Sequence, residues 1–434
     1  MKKMISLLIA CVLLLSMLAG CASTGESAGP ADTELGQSEH VVILVLDALS
    51  SAYLSELGAN SNLAKIAKEG ACVLDAQCVY PSHTLTNHTT IMTGVSSGAH
   101  GIIGNVRLAE DGISSIKSKE PEMIECETIF QLAKAQGLKT AVVSGKNNLV
   151  TLFSKDCDVG TSNVRPLDYL AEAPNLDNAQ TNEDYYEMNL ELADWVFESV
   201  YTVLEKETPN LTLVNIQSSD YIGHRFGPNS DEMKTCLKRI DKALGKLYDK
   251  MKKSGMLEDT TLIIVADHGM TESNQAINLQ VLTMMNFPEA AAVIDGRTGY
   301  IWLNGTDEAE VIAFFEGVEG VDSIFSGTSA TAVELGVASE TGPDLILNSE
   351  AGYVFLPQPM IDEYHGQHGS ADDSDMIIPM ICVGGGVPAG AGIEATDLRA
   401  VAPLAFKLLG ISGGEFEISE PALLPQQDLS AFKK

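Results

Sequence analysis

Positive charge is scarce in this sequence: 27 lysines and arginines stand against 59 aspartates and glutamates, a formal charge of −32 over 434 residues. Such a surface repels a polynucleotide backbone, which excludes non-specific nucleic-acid binding. Any anionic substrate has to be drawn in by a local positive centre, which bound metal would supply. Aromatic residues are also few, 6% of the chain with two tryptophans, whereas 45% of residues are apolar, enough for a large core. No internal repeat is visible. The cysteine spacings match no zinc-cysteine module, and their pairing cannot be read from one sequence. If 72–78 is one extended run, Cys72 and Cys78 lie about 20 Å apart at about 3.3 Å per residue, too far for a bridge.

Long hydrophobic runs are missing as well, with one exception. Lys2 and Lys3 precede an apolar run over 5–18, and Leu18-Ala19-Gly20-Cys21 follows. The run is too short and ends too abruptly for an ordinary membrane span. It reads as a bacterial lipoprotein signal over 1–20, with Cys21 the lipidated residue. Residues 21–39 have almost nothing to bury and are expected to form a flexible tether. The globular part is then expected outside the cytoplasm, at a membrane surface.

Beyond residue 40, short β-branched runs alternate with stretches of helical spacing. Runs over 41–46, 139–143, 211–216, 261–266 and 376–383 read as buried strands; 63–68, 129–136, 185–206, 232–253 and 397–409 read as helices. This alternation predicts an α/β fold with a mainly parallel central sheet flanked by helices. In such sheets ligands gather at the carboxyl ends of strands. Residues 40–270 and 360–434 are assigned to this core. Residues 271–359, with strand-like pieces at 299–303 and 352–355 around a helical one at 308–316, are expected to form a small inserted α/β subdomain walling the site.

Candidate metal ligands fall near the strand ends: Asp47, Thr84, Asp220, His224, Asp267, His268 and His368. The set reads as a two-metal phosphoryl-transfer site. Thr84 lies where Tyr80-Pro81-Ser82-His83-Thr84 turns into a helix, and a helix N-terminus favours an alkoxide and a phosphate oxygen. A threonine hydroxyl is a poor nucleophile at its free pKa, and metal coordination is one way to activate it. Asn87, three residues on, is expected on the same helical face, donating to a phosphate oxygen. Asp220 and His224 are four apart, so one helical turn aims both at one point. Asp267-His268 directly follows a strand, and carboxylate with imidazole suits zinc. His368 lies between glycines in Gly366-Gln367-His368-Gly369. His365 competes with it as the last ligand.

Taken together and in this order, these residues resemble the alkaline phosphatase superfamily, specifically its nucleotide pyrophosphatase/phosphodiesterase (type I phosphodiesterase) branch. The resemblance runs from about residue 41 to residue 409 and includes Thr93-Gly94 and His100-Gly101-Ile102. It implies two zinc ions per chain, one held by Asp47, Thr84, Asp267 and His268, the other by Asp220, His224 and His368, with Asn87 on the phosphate. It also implies hydrolysis of phosphodiester or pyrophosphate bonds through a phospho-threonine at Thr84. Nucleotide-cleaving members usually carry an aromatic residue and a proline after the nucleophile, where this chain has Leu85 and Thr86. The segment around Lys146 resembles the lysine-bearing loop of phosphonoacetate hydrolases and some monoesterases, with Asn148 where those relatives have a second basic residue.

Charge counting bears on the substrate. Two dications and three carboxylates leave a single positive charge, which matches a singly charged phosphodiester, whereas a monoester needs a further cation such as Lys146. The leading expectation is therefore a diesterase acting on a phosphorylated small molecule. Phosphomonoesterase and phosphonoacetate hydrolase-like activities are the alternatives, and a non-catalytic lipoprotein that binds a phosphorylated ligand is another. A phosphomutase fits the export signal poorly, and no Cys-x-Pro-x-Arg motif supports sulfate ester cleavage.

Overall fold

The computed structural model describes residues 33–433 apart from residue 113. The run 5–18 and Cys21, with the signal and lipid anchor read there, lie outside the described residues. Residues 36–38, assigned to the tether from the sequence, are bound to the domain. The Gly36 and Ser38 amides donate to the carbonyls of Gly386 and Leu408, which ties this stretch to the domain.

Nine strands form the central sheet: β1 (His40–Leu46), β2 (Ala71–Gln77), β3 (Thr140–Ser144), β4 (Val159–Ser162), β5 (Leu211–Ile216), β6 (Thr260–Val265), β7 (Ile377–Gly384), β8 (Ala391–Ile393) and β9 (Leu423–Leu424), in the order β9-β8-β2-β7-β6-β1-β5-β3-β4. β1 runs parallel to both β5 and β6, and the β3, β4 and β5 pairings are parallel too. β7 is antiparallel to β2 and β6. In β1, β5 and β6 almost every residue is fully buried, as a parallel sheet covered on both faces requires. These strands consequently read as unbroken apolar runs.

The flanking helices include α1 (Thr84–Thr93), α2 (Asn182–Glu207), α3 (Ser218–Phe226) and α4 (Asp231–Ser254). Thr181 caps α2 in a capping box with Asp184, and Ser230 caps α4 by accepting from the Met233 amide. Every residue of α1 is buried. Its Thr89 and Thr93 hydroxyls donate to the carbonyls four residues earlier, which satisfies polar groups inside the core. Gly94 ends α1 at φ 73°, where a side chain would be strained. The six described cysteines are free thiols.

Residues 271–359 are richer in strands than their pattern suggests. Ala291–Asp295, Thr298–Trp302, Leu345–Ser349 and Val321–Ser326 form a four-stranded antiparallel sheet, with helices Leu279–Asn286 and Glu308–Phe315 in the same segment. Leu279, Ile301, Val311, Phe315, Leu345 and Leu347 make a separate apolar cluster. Gly352–Phe355 instead pairs with Thr271–Ile277, which also pairs with Gly366–Gln367 beside His368.

Candidate active site

The site forms where β1, β5 and β6 end side by side. Asp47 follows β1, Asp267 and His268 follow β6, and Asp220 and His224 lie on α3 just after β5. Ala48 is held at φ 60°, an uncommon conformation for a residue with a Cβ, and its amide donates to Asp267 Oδ1. Thr84 is the first residue of α1. Its Oγ1 lies 3.2 Å from His268 Nε2 and 3.2 Å from the Lys146 ammonium. Asp220 Oδ1 stands 3.1 Å from His224 Nε2 and 3.5 Å from His368 Nε2. The His268 and His368 rings stack with centroids 3.6 Å apart.

Two groups of donor atoms are close enough to hold a cation: Asp220, His224 and His368, and Asp47, Asp220 and His268. The first is the expected set. The second draws on Asp220 again and leaves Asp267 at its margin, with Asp267 Oδ2 3.5 Å from His268 Nε2. His365 is exposed and belongs to neither group.

The donor chemistry fits metal ions. His224, His268 and His368 each place Nδ1 within 2.7 to 2.8 Å of a backbone carbonyl, of Gly366, Gly269 and Ser82 respectively. A carbonyl can only accept, so Nδ1 carries the hydrogen and each Nε2 turns a lone pair to the centre. Asp47 Oδ1, Asp220 Oδ1 and Asp267 Oδ2 are buried with no hydrogen-bond donor, an arrangement a cation would satisfy.

Lys146 lies inside the cluster, 2.8 Å from Asp47 Oδ2 and 2.6 Å from Asp220 Oδ2. Burial opposes its charge, but Asp220 and Asp47 hold its pKa well above the usual lysine value. Burial would lift Asp220 too, yet Lys146 keeps it well below the carboxylate range. Burial pushes Asp47 up to about 6 and lifts Asp267 well above its ordinary value, the latter helped by Asp47.

Asn87 does not face this centre. It is fully buried; its Oδ1 accepts from the Val79 amide, and its Nδ2 lies within 3.1 to 3.3 Å of the carbonyls of Val79, Pro81 and His83. The helical spacing holds, but the loop before α1 folds back over that face and uses every polar atom of the amide. Asn87 therefore braces the loop that presents Thr84, and the expected phosphate contact is corrected. Asn105 faces the cavity instead. Its Oδ1 accepts from the Leu85 amide at 3.0 Å, and among the described residues its Nδ2 has no partner. Asn105 went unread because it lies 21 residues from Thr84 and only the fold brings it back. Two second-layer residues were also missed. Asn215 donates to Asp47 Oδ2 at 2.7 Å, and His88 Nδ1, at 2.8 Å from the Thr84 carbonyl, lies 3.4 Å from Asp267 Oδ2.

Above the centre opens a cavity of about 530 Å³, whose wall includes Asn105, Lys117, Asn147, Asn148, Asn163 and Tyr364. None of its lining residues comes from 271–359, so that segment is not the wall expected of it. Leu85 lines the cavity where an aromatic ring would offer a stacking face.

This carboxylate and imidazole centre stands on a sheet shared with alkaline phosphatase: alkaline phosphatase PafA superimposes with a TM-score of 0.71 at 16% identity, covering 89% of this chain and 98% of that one. Residues 41–371 match the model of the type I phosphodiesterase / nucleotide pyrophosphatase family, and the chain belongs to that family. It is 29% identical over 261 residues to human ectonucleotide pyrophosphatase/phosphodiesterase family member 1, covering 58% of this chain and 26% of that protein. The chain thus spans about a quarter of the length of that relative. Phosphonoacetate hydrolase from Sinorhizobium meliloti 1021, in complex with phosphonoformate, superimposes with a TM-score of 0.66 at 19% identity, covering 88% of this chain and 100% of that one.

Proposed function

We propose that this chain hydrolyses phosphoric diester or pyrophosphate bonds by way of a phospho-threonine at Thr84. The reading rests on one observation: the Thr84 hydroxyl, at a helix N-terminus, lies within 3.2 Å of both His268 Nε2 and the Lys146 ammonium, beside carboxylates with unpaired buried oxygens. Asp47, Thr84, Asp267 and His268 would hold one zinc, and Asp220, His224 and His368 the other. The ions would supply charge neutralisation and would lower the pKa of a hydroxyl or water.

The chain's own groups account for the rest. Thr84 Oγ1 gives its proton to solvent water, and Lys146 donates to the resulting alkoxide and stabilises it. Oγ1 forms the bond to phosphorus as the bond to the leaving oxygen breaks, and the amides of α1 with Asn105 Nδ2 receive the charge on the phosphoryl oxygens. Water then cleaves the phospho-threonine. Relatives named as phosphodiesterases and pyrophosphatases support the reading.

Phosphomonoester hydrolysis is a second reading. The contact between Lys146 and Thr84 favours it, because that ammonium is the added cation a doubly charged monoester requires. The lipoprotein signal ending at Cys21 supports export and a lipid anchor, a proposal that fatty-acid labelling of the chain and its Cys21→Ala variant would check.

The deciding test is kcat/KM of zinc-loaded protein for a chromogenic phosphodiester and the matching monoester. Thr84→Ala is the blank, with metal content measured on both. The proposal expects diester turnover that disappears in Thr84→Ala while zinc stays bound. A monoester preference that collapses in Lys146→Ala would establish the second reading, and turnover persisting in Thr84→Ala would remove both.

A further inference from the structure

The turn Asp295–Thr298, which joins two strands of the four-stranded sheet in 271–359, lies outside the cavity yet touches both halves of the site. On one side, Asp295 Oδ2 accepts from the Asn105 amide at 2.6 Å and stands 3.4 Å from His83 Nε2, the residue before Thr84. Tyr300, from the same sheet, donates to the Ile103 carbonyl at 2.7 Å. Gly104 sits between these grips, where a Cβ would come within 2.8 Å of Asp295 Oδ2. On the other side, the Arg297 amide donates to the His368 carbonyl at 2.9 Å, and Thr298 Oγ1 donates to the Gly369 carbonyl at 2.6 Å. The Arg297 guanidinium, fully buried, bonds Asp372, Asp375, Thr271 and the Ser349 carbonyl, and so fixes the loop after His368.

We infer that this turn is the positioning element of the site, with Asp295 setting Asn105 against the Leu85 amide and Arg297 with Thr298 setting His368. Asp295 touches no reacting atom. It acts through Asn105, whose Oδ1 accepts from the amide next to Thr84 while its Nδ2 is left for the cavity. The segment 271–359 thereby serves the chemistry by rigidity from behind. The inference builds on the proposed role of Asn105 but can be read without it.

The test compares Asp295→Ala and Asp295→Asn in the zinc-loaded chain. The readouts are kcat, KM, zinc content, thermal midpoint and hydrogen exchange at the amides of Leu85 and Asn105. Asp295→Ala should lower kcat about 10- to 100-fold, the scale of a catalytic group displaced by about 1 Å. KM and zinc content should change little, and both amides should exchange faster at a near-unchanged thermal midpoint. Asp295→Asn, whose amide oxygen still accepts, should restore most of both effects. Wild-type kcat and exchange in Asp295→Ala would overturn the inference. So would a loss that merely follows global unfolding and is not rescued by Asp295→Asn. If the wild-type chain hydrolyses neither ester, the proposed function fails, while exchange and its rescue still decide the positioning role.

Discussion

His100 shows how a single buried side chain ties stability to pH. Its Nδ1 accepts from the Ile102 amide, so Nε2 carries the hydrogen and donates to Thr90 Oγ1 on α1. Burial lowers its pKa to about 3, from a usual value of 6.5. Between those values the unfolded chain binds a proton that the folded chain does not, so stability from this residue is complete above pH 6.5 and is lost as pH falls. Its slope approaches about 1.4 kcal/mol per pH unit in that window. Urea melts from pH 4 to pH 7 on wild type and His100→Gln should show a flatter dependence in the variant, and parallel curves would disprove it. At this scale Asp47, Asp220 and Asp267-His268 were legible as candidates, because each combines a ligand side chain with the end of an apolar run. Asn87 and Asn105 were not. Helical spacing places Asn87 correctly on α1 but carries no record of the loop folded over it, and nothing local marks Asn105.

Among the elements, the parallel strands at the centre could be read because burial on both faces writes itself as an unbroken apolar run. β4 continues after Val159 with Gly160, Thr161 and Ser162, and Ala291–Asp295 and Val321–Ser326 bury only part of each face, so their signal is weak. The turn Asp295–Thr298 is the element whose loss should be felt furthest. Arg297→Met would leave Asp375 buried without its cation, at a cost of about 3 to 5 kcal/mol. Equilibrium denaturation should show that loss, and a change below about 1 kcal/mol, typical of exposed pairs, would mean the ion pair is effectively solvated.

Across the whole molecule, the proposed metal sites would couple stability to metal. The Asp47 and Asp220 carboxylates flank one ammonium, with Asp267 Oδ2 3.5 Å from His268 Nε2 beside them, so an ion that bound only the folded chain would stabilise it. If zinc is the ion, each site at a thousandfold over its dissociation constant would add about 4 kcal/mol by mass action. Calorimetry with excess zinc and with a chelator should separate the two midpoints clearly, and coincident midpoints would mean that the cluster binds no ion. The strand order has a consequence for biosynthesis. β7 (Ile377–Gly384) lies between β2 and β6, with β8 and β9 later in the chain, so until the ribosome has passed residue 384 the sheet is the five strands β6-β1-β5-β3-β4, open along β6, and β2 is unpaired. A nascent polypeptide of this protein cannot close its core before then, and has to be kept from pairing with its neighbours until β7 has emerged.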